Sequence, residues 1–170
     1  GVSVVSVSPQ RADSADFLDA QWLAPRPNTD VAMMLGIAHT LVAEDRHDRA
    51  FLARYCTGFA RFETYLMGRD DAQPKDADWA AGITGIDAGI LRALARRMAE
   101  SRTMITTSYA LQRGDHGEQP FWMTVTLAAM LGQIGLPGGG FGFGYGSMQA
   151  QGNPVEPIAS PNLPAGVNPT

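Results

Sequence analysis

A chain of 170 residues is long enough for one domain with a hydrophobic core, and its apolar share of 45% is typical of a globular protein. Its 13 basic and 17 acidic residues give a formal net charge of −4, which excludes the broad basic surface of a nucleic-acid-binding domain. Cys56 is the only cysteine, so an internal disulfide is impossible. No apolar run approaches the ~20 residues that a helix needs to cross a bilayer, so membrane insertion is not expected.

The chain opens at Gly1, without a starting Met, directly in a strand-like pattern. We therefore interpret it as an internal segment of a longer polypeptide, and the remainder of that polypeptide is its expected partner. Residues 2–8 are short and β-branched and end at Pro9, which predicts a buried strand. A short helix is expected over 11–18, and a second strand over 21–24.

Helical periodicity dominates the next part of the chain. Apolar residues at i, i+3 and i+4 spacing predict a long helix over 30–44. Shorter helices are predicted over 48–56 and 59–67. The polar stretch 70–78 is expected to be a connector, and the apolar periodicity returns in a helix predicted over 88–100.

The last third of the chain begins with β-branched residues over 103–108, which predict a third strand. A polar loop over 109–119 then leads into a helix predicted over 120–134, with a proline suited to its first turn. Residues 138–146 alternate glycine with aromatic residues, and we interpret them as a flexible loop.

The order strand–helix–strand–helix, followed by strand–helix, predicts an α/β fold. We expect a helix-rich, three-layer, Rossmann-like domain with a mostly parallel sheet over 1–137, and a Gly/Pro-rich tail over 138–170 that is extended or disordered in isolation. Such sheets bind ligands at the carboxyl ends of their strands. Those ends are predicted near residues 8–11, 28–30 and 108–113.

Each of the first two strand ends allows a local and a ligand-binding interpretation. The Ser8 hydroxyl either caps the next helical turn or meets a ribose or base. Asn28 or Thr29 can cap the long helix, and Asp30 in its first turn is stabilised there by the helix dipole. Alternatively, the Asp30 carboxylate accepts two parallel hydrogen bonds from the N1–H and N2–H₂ edge of guanine, a pair that no other base offers. The local residues leave both interpretations open.

The third strand end carries a cluster of polar residues and glycines over 108–119. Arg113 is suited to gripping a phosphate or pterin oxygen, and Gln112 offers both a donor and an acceptor. His116 is either a proton donor or a structural hydrogen-bonding residue. A solvated loop would have a similar composition, but the apolar helix that follows indicates that this loop lies against the fold.

Other chemistries find no support in the residue pattern. The glycine run at 138–146 follows a helix and opens none, so it fails as a dinucleotide fingerprint. His39, His47 and His116 lack metal-ligand spacing and Cys56 has no partner, so we predict no metal site made by this chain alone. No nucleophile motif is present, and no catalytic residue is assigned.

Three longer segments resemble the bis-molybdopterin S-oxide and N-oxide reductases, which belong to the dimethyl sulfoxide reductase family of molybdenum enzymes. The segments are Trp22 to Val42, Leu111-Gln112-Arg113 followed by His116 to Trp122, and Leu131 to Gly142. The similarity extends to about Pro154. Within the family, residues 54–59 and 144–148 look most like biotin sulfoxide reductases, with trimethylamine N-oxide and dimethyl sulfoxide reductases close behind.

The resemblance implies a molybdenum cofactor held by two molybdopterin guanine dinucleotides, of which this chain would contact a part. Matched to the family's pattern, the expected cofactor-binding residues are Val7 and Ser8 at a guanosine, Asn28, Thr29 and Asp30 at the guanine, and Tyr109, Ala110 and Arg113 nearer the metal. Gln112 and His116 of the same loop are also expected to bind the cofactor. Relatives usually carry Trp, Ser and His where this chain has Tyr109, Ala110 and Asp115. Those three positions are therefore candidates for tuning the choice of substrate; the alternative for Asp115 is a substitution that a loop simply tolerates.

The same resemblance implies oxygen-atom transfer from an S-oxide or N-oxide substrate. The parent is expected in the cytoplasm, or in the periplasm if it is a trimethylamine N-oxide or dimethyl sulfoxide reductase. The family's protein ligand to the metal is a serine that no residue here matches, so we expect the isolated chain to be inactive. The alternative is a non-catalytic guanine-nucleotide-binding or scaffold module of the same fold.

Overall fold

The computed structural model describes residues 1–14 and 16–144, and in these ranges four short strands pair in parallel, two by two. Strand β1 (Val5–Val7) pairs with β2 (Gln21–Leu23). Strand β3 (Met104–Thr107) pairs with β4 (Gly140–Phe143). The predicted α/β class with parallel pairing is confirmed. The described strands nevertheless form two separate pairs, where the sequence predicted one sheet.

Four of the predicted helices are confirmed with small differences at their ends. They are α1 (Asp30–Ala43), α2 (Arg49–Tyr55), α3 (Phe59–Leu66) and α5 (Ala88–Glu100). Side-chain caps explain two of the starting points. The Asp48 carboxylate accepts a hydrogen bond from the backbone N–H of Phe51 at 2.8 Å, and Asp87 accepts one from Ile90 at 3.1 Å.

Helix α4 (Ala77–Thr84) was not predicted, because residues 70–78 were interpreted as a polar connector. The Asp76 carboxylate caps this helix by accepting a hydrogen bond from the backbone N–H of Trp79 at 2.8 Å. Gly85 ends it with a left-handed φ of +79°. A helix of only two turns shows too few apolar positions for the periodicity that revealed the others.

The glycine-aromatic run was predicted to be a flexible loop, and over Gly140–Phe143 this prediction is wrong. These residues form β4, in which two glycines are buried and the aromatic rings lie on the other face. Phe143 lies 5.2 Å from Phe141 and 5.0 Å from Phe121, measured between ring centroids, so the rings cover the strand and connect it to the preceding helix, Gln119–Met130. The predictions for residues 145–170 fall outside the described residues.

Two further predictions need correction. The short helix expected over 11–18 is replaced by two 3₁₀ turns, Arg11–Asp13 and Asp16–Leu18. Helix α6 (Gln119–Met130) is shorter than the predicted 120–134. It ends because the glycines that follow it, at positions 132 and 135, adopt left-handed φ angles of +67° and +88°.

Helix α1 lies at the centre of the core, where it packs against α4, α5 and α6. Every residue from Ala32 to Ala38 is buried. Gly36 allows α4 to approach closely, since a Cβ at this position would lie 2.6 Å from the Cβ of Ala80. This packing fixes the direction of α1, and hence the place of its first turn. In the described part of the chain, no helix has the length and apolar character required to cross a membrane.

Candidate functional site

A hollow of about 420 Å³ lies between the start of α1, the loop after β3 and the start of α6. Two of the three segments singled out in the sequence therefore form its walls. Its lining combines two carboxylates, an imidazole and two carboxamides with apolar groups, from Asn28, Asp30, Val31, Leu111, Gly114, Asp115, His116, Gln119 and Pro120. Among the residues that the structure describes, no lysine or arginine belongs to this lining.

The segment before α1 enters the hollow along a fixed path. The backbone N–H of Arg26 donates a hydrogen bond to the Thr84 carbonyl at 2.9 Å, and its guanidinium donates to the two preceding carbonyls at 2.8 and 3.0 Å. The Thr29 hydroxyl then donates to the Arg26 carbonyl at 2.6 Å. Since the last carbonyls of a helix need donors from elsewhere, Arg26 satisfies the end of α4 and holds the approach to α1.

Asp30 is the first residue of α1, and its partly buried side chain lines the hollow. Burial raises the pKa of the Asp30 carboxyl above its usual value, and hydrogen bonding to its own backbone amide offsets this only in part. No lysine, arginine or histidine of the described residues forms an ion pair with it. A carboxylate that is desolvated without a partner destabilises the fold, which makes it a candidate for ligand recognition.

The loop after β3 returns tightly to α6. It begins with a 3₁₀ turn, Tyr109–Arg113. Gly117 packs directly on the backbone of Gln112, where any Cβ would collide. The backbone N–H of Gln119 then donates to the His116 carbonyl at 3.0 Å. These contacts give the loop a defined shape although most of its side chains are exposed.

The two walls of the hollow touch each other at Asn28 and Gly114. A Cβ on Gly114 would lie 3.0 Å from the Asn28 side-chain oxygen, so only glycine fits without adjustment. Asn28 and His116, on opposite walls, both adopt left-handed backbone conformations with φ angles of +63° and +53°. Residues other than glycine rarely do so, and they concentrate at binding sites, where the surrounding structure holds them.

The rim of the hollow is acidic. The His116 imidazole lies between Asp115 and Glu118, at 3.8 and 3.9 Å from their carboxylate oxygens. The pKa of Glu118 is lowered, mainly by hydrogen bonding to its own backbone amide, then by the Gln119 side chain, and further by the nearby imidazole. With Asp30 inside and Asp115 at the edge, the hollow suits a neutral hydrogen-bond donor better than a phosphate.

Ser8 does not line the hollow, although the sequence grouped it with Asp30. Its hydroxyl donates to the Asp13 carboxylate and accepts a hydrogen bond from the backbone N–H of Gln10 at 3.1 Å. Its carbonyl accepts a hydrogen bond from the Trp22 indole at 2.8 Å. The Ser8 side chain therefore forms local turn contacts, although the N-cap residue of the following 3₁₀ turn is Gln10. Val7 is half-buried and packs against the core.

The remaining predicted residues lie around the hollow without lining it. The Thr29 hydroxyl is held by a backbone carbonyl, and Ala110, Gln112 and Arg113 are exposed. The Tyr109 ring lies against Gly144, where a Cβ would collide with it.

The sequence analysis missed several lining residues: Val31, Leu111, Gly114, Gln119 and Pro120. It noted Asp115 only as a departure from relatives. All of them lie within a few positions of residues that were named, so proximity in the chain was the available signal. Whether a given side chain points into the hollow depends on the turn geometry, which the residue types do not reveal.

A second hollow of about 350 Å³ lies between α2 and α3, away from the strand ends. It includes Cys56 and buried His47, whose ring stacks on Phe59 at 5.5 Å and whose Nδ1 lies 3.4 Å from the Leu41 carbonyl. Across residues 1–14 and 16–144, no group of three or more His, Cys, Asp or Glu converges as metal ligands would. The first hollow is therefore the candidate site.

Comparisons with known proteins find relatives that match most of this chain. The dimethyl sulfoxide/trimethylamine N-oxide reductase of Rhodobacter capsulatus is 52% identical over 145 residues, which cover 85% of this chain and 18% of that protein. The biotin sulfoxide reductase of Cereibacter sphaeroides is 50% identical over 163 residues, covering 96% and 22%. Trimethylamine-N-oxide reductase 1 of Escherichia coli (strain K12) is 52% identical over 147 residues, covering 85% and 17%. The chain thus spans about a fifth of the length of these relatives.

The fold is shared with acetylene hydratase from Pelobacter acetylenicus, with a TM-score of 0.68 and 24% sequence identity over 78% of this chain and 18% of that one. The family model described as molybdopterin oxidoreductase matches residues 1–165. Since this match covers nearly the whole sequence, the chain belongs to the molybdopterin oxidoreductase family.

Proposed function

We propose that this chain forms part of the site for a molybdenum–pterin cofactor in its guanine dinucleotide form, within a larger enzyme that reduces S-oxides or N-oxides. The family implies the molybdenum–pterin cofactor, and the relatives named above are reductases of dimethyl sulfoxide, trimethylamine N-oxide and biotin sulfoxide. The observation that carries the proposal is the Asp30 carboxylate, which lines a hollow and has no cationic partner among the described residues.

The hollow fits the guanine end of such a cofactor. Guanine presents N1–H and N2–H₂ side by side, and one carboxylate accepts hydrogen bonds from both. These donors would compensate the desolvation that raises the Asp30 pKa. The Asn28 carboxamide, which also lines the hollow, offers a donor and an acceptor to the other polar edges of the base.

Other residues are proposed to hold other portions of the same cofactor. Arg113, exposed beside the hollow, is suited to an anionic oxygen, because a guanidinium donates paired hydrogen bonds to such groups. Tyr109 and Ala110 are proposed to lie nearer the metal. Ser8 would have to exchange its hydrogen bond with Asp13 for one to the cofactor. When bound, the cofactor supplies the oxygen-atom transfer, while this chain positions it.

The test uses the full-length protein with Asp30→Asn and Asp30→Ala. Removing a carboxylate that accepts two hydrogen bonds is expected to weaken cofactor retention roughly 10- to 100-fold. Molybdenum is measured by mass spectrometry, and GMP is measured after acid release from the purified protein. Asp70→Asn is the matched control, because Asp70 is exposed and distant in sequence from the hollow. Unchanged molybdenum and GMP in both Asp30 variants would contradict the guanine-reading role.

The non-catalytic alternative gives a different outcome in the same preparation. A guanine-nucleotide-binding or scaffold module would bind GMP in preference to AMP, but the wild-type full-length protein would contain no molybdenum and reduce no S-oxide or N-oxide. We further propose a cytoplasmic location, from the segments that resemble biotin sulfoxide reductases. Fractionation of cells producing the full-length protein tests this against a periplasmic location.

A further inference from the structure

One buried polar atom in the described residues has no partner, and it is the hydroxyl oxygen of Thr107. Buried hydroxyls in proteins are nearly always hydrogen-bonded, because an unpaired one loses its contact with water without replacement. Each exception calls for an explanation, and a bound group that supplies the missing hydrogen bond is one such explanation.

Other threonines on inward-facing positions of this chain satisfy their hydroxyls locally. Each donates to a backbone carbonyl or accepts from a backbone N–H: Thr40 to Gly36 at 2.9 Å, Thr103 to Met98 at 3.0 Å, Thr124 to Pro120 at 2.8 Å, and Thr84 from Ile86 at 3.1 Å. At these four positions the fold itself supplies a partner for the hydroxyl. Thr107 is the exception among the described residues.

Thr107 occupies the position where an α/β fold binds ligands. It is the last residue of β3, opposite Phe143 in the parallel strand β4, and both carboxyl ends lie at the same edge. Its carbonyl is already used, since it accepts a hydrogen bond from the backbone N–H of Gly144 at 2.8 Å. Only the hydroxyl remains to interact with a group beyond the strand end.

The side of the strand also matters. Exposure alternates along β3, and Thr107 shares the inner side with Ile105, which packs against the core. Helix α6 packs on β3 and β4, and Phe121 of this helix stacks near Phe143, the residue opposite Thr107. The first turn of α6 lines the hollow through Pro120. The unpaired hydroxyl thus lies on the side of the strand where α6 begins.

We infer that the Thr107 hydroxyl is a cofactor-binding group, which donates a hydrogen bond to a polar atom of the bound molybdenum–pterin cofactor at the carboxyl end of β3. This inference rests on the proposed function and adds a contact that neither the motifs nor the lining of the hollow indicated. It explains why this buried hydroxyl has no partner among the described residues: the partner arrives with the cofactor.

The test compares full-length protein prepared with the cofactor and without it, the latter from cells that cannot synthesise molybdopterin. Thr107→Val replaces the hydroxyl by a methyl group of similar size. Without cofactor, this variant is expected to have a higher melting temperature than wild type, because it removes an unpaired buried hydroxyl. With cofactor, it is expected to lose molybdenum roughly 2- to 10-fold faster during dialysis, the effect of one hydrogen bond.

Two further variants keep the test decisive. Thr107→Ser retains the hydroxyl and should retain the cofactor as wild type does. Thr106→Val makes the same change at the adjacent exposed position of β3 and should alter neither property. A Thr107→Val protein that melts lower in both preparations and loses molybdenum at the wild-type rate would overturn the inference, since the partner of the hydroxyl would then lie in the polypeptide. Wild-type protein without molybdenum would instead refute the proposed function itself.

Discussion

The loop around Lys75 and the hollow around Asp30 both bury a charged side chain, fully at Lys75 and partly at Asp30, but they compensate the charge differently. Lys75 is only 4% exposed. Its ammonium group donates hydrogen bonds to the Asp71 carboxylate and the Gln73 carbonyl, both at 2.6 Å, and lies 4.3 Å from the centre of the Tyr65 ring. All of these partners come from residues 65–73, so the loop closes around its own lysine.

Asp30 has no equivalent partner among the described residues, and the pKa shifts reflect the contrast. Burial raises the pKa of Asp30, whereas the hydrogen bond from Lys75 lowers that of Asp71. At Asp71 the attraction to the lysine outweighs desolvation, and at Asp30 desolvation dominates. The comparison teaches that a charge satisfied within the chain maintains the fold, while one left unsatisfied beside a hollow is available to a ligand.

The largest effect on stability is expected from Lys75→Met in this chain. The Gln73 carbonyl then loses its charged donor, so the free energy of unfolding should fall by about 1–3 kcal/mol, as measured by urea denaturation. Arg61→Met removes an exposed cation from α3 and should change it by less than about 0.5 kcal/mol. Equal effects of the two substitutions would show that the lysine does not close the loop. The contrast between a satisfied charge at Lys75 and an unsatisfied one at Asp30 would then be wrong.

A smaller effect is expected from Asn28→Ala on the other side of the comparison. Alanine tolerates the left-handed backbone at this position poorly, so the free energy of unfolding should fall by about 1 kcal/mol. For Asn28→Gly the free energy of unfolding should fall by less, because glycine adopts positive φ without steric strain. If denaturation shows the two variants equally destabilised, the Asn28 side chain and not its backbone conformation holds this wall of the hollow.

The smallest effect is a difference in sign between Asp30→Asn and Asp71→Asn across roughly pH 3 to 7. The raised pKa of Asp30 contributes stability at low pH that is lost as pH rises through it, so Asp30→Asn should gain stability relative to wild type as pH rises. The lowered pKa of Asp71 contributes stability above its usual pKa that is lost as pH falls. Asp71→Asn should therefore become relatively less stable as pH rises.

Urea midpoints measured at several pH values for both variants and wild type would check this sign difference. Parallel pH profiles for the two variants would mean that the two carboxylates lie in equivalent environments. The contrast between a self-satisfied loop and an unsatisfied hollow would then have no electrostatic basis.

Some elements followed from the sequence because their signals are local. The apolar periodicity of α1 and α5 and the cap at Asp87 depend only on neighbouring residues. Helix α4 was not predicted because it is short. Strand β4 was predicted to be a loop because alternating glycine and phenylalanine is also typical of loops. Pairing with β3 and the ring contact between Phe143 and Phe121 favour the strand, and both involve residues far away in the sequence.

The site divides in the same way. The motif Pro27-Asn28-Thr29-Asp30 identified one wall of the hollow from residue types and a resemblance. The grouping of Ser8 with it did not appear in the structure, because the nearby Asp13 takes the Ser8 hydroxyl. Thr107 gave no signal at all, since an unpaired hydroxyl is defined by what surrounds it.

The sequence by itself determined the family, the parallel α/β class and the helices that signal themselves through caps and apolar spacing. The tertiary structure alone decided which strand ends meet, that Asp30 is desolvated without a cation among the described residues, and that Asn28 touches the loop after β3. The physical reason is distance along the chain. Propensity and capping act over a few residues, whereas desolvation and hydrogen-bond satisfaction depend on segments that only folding brings together.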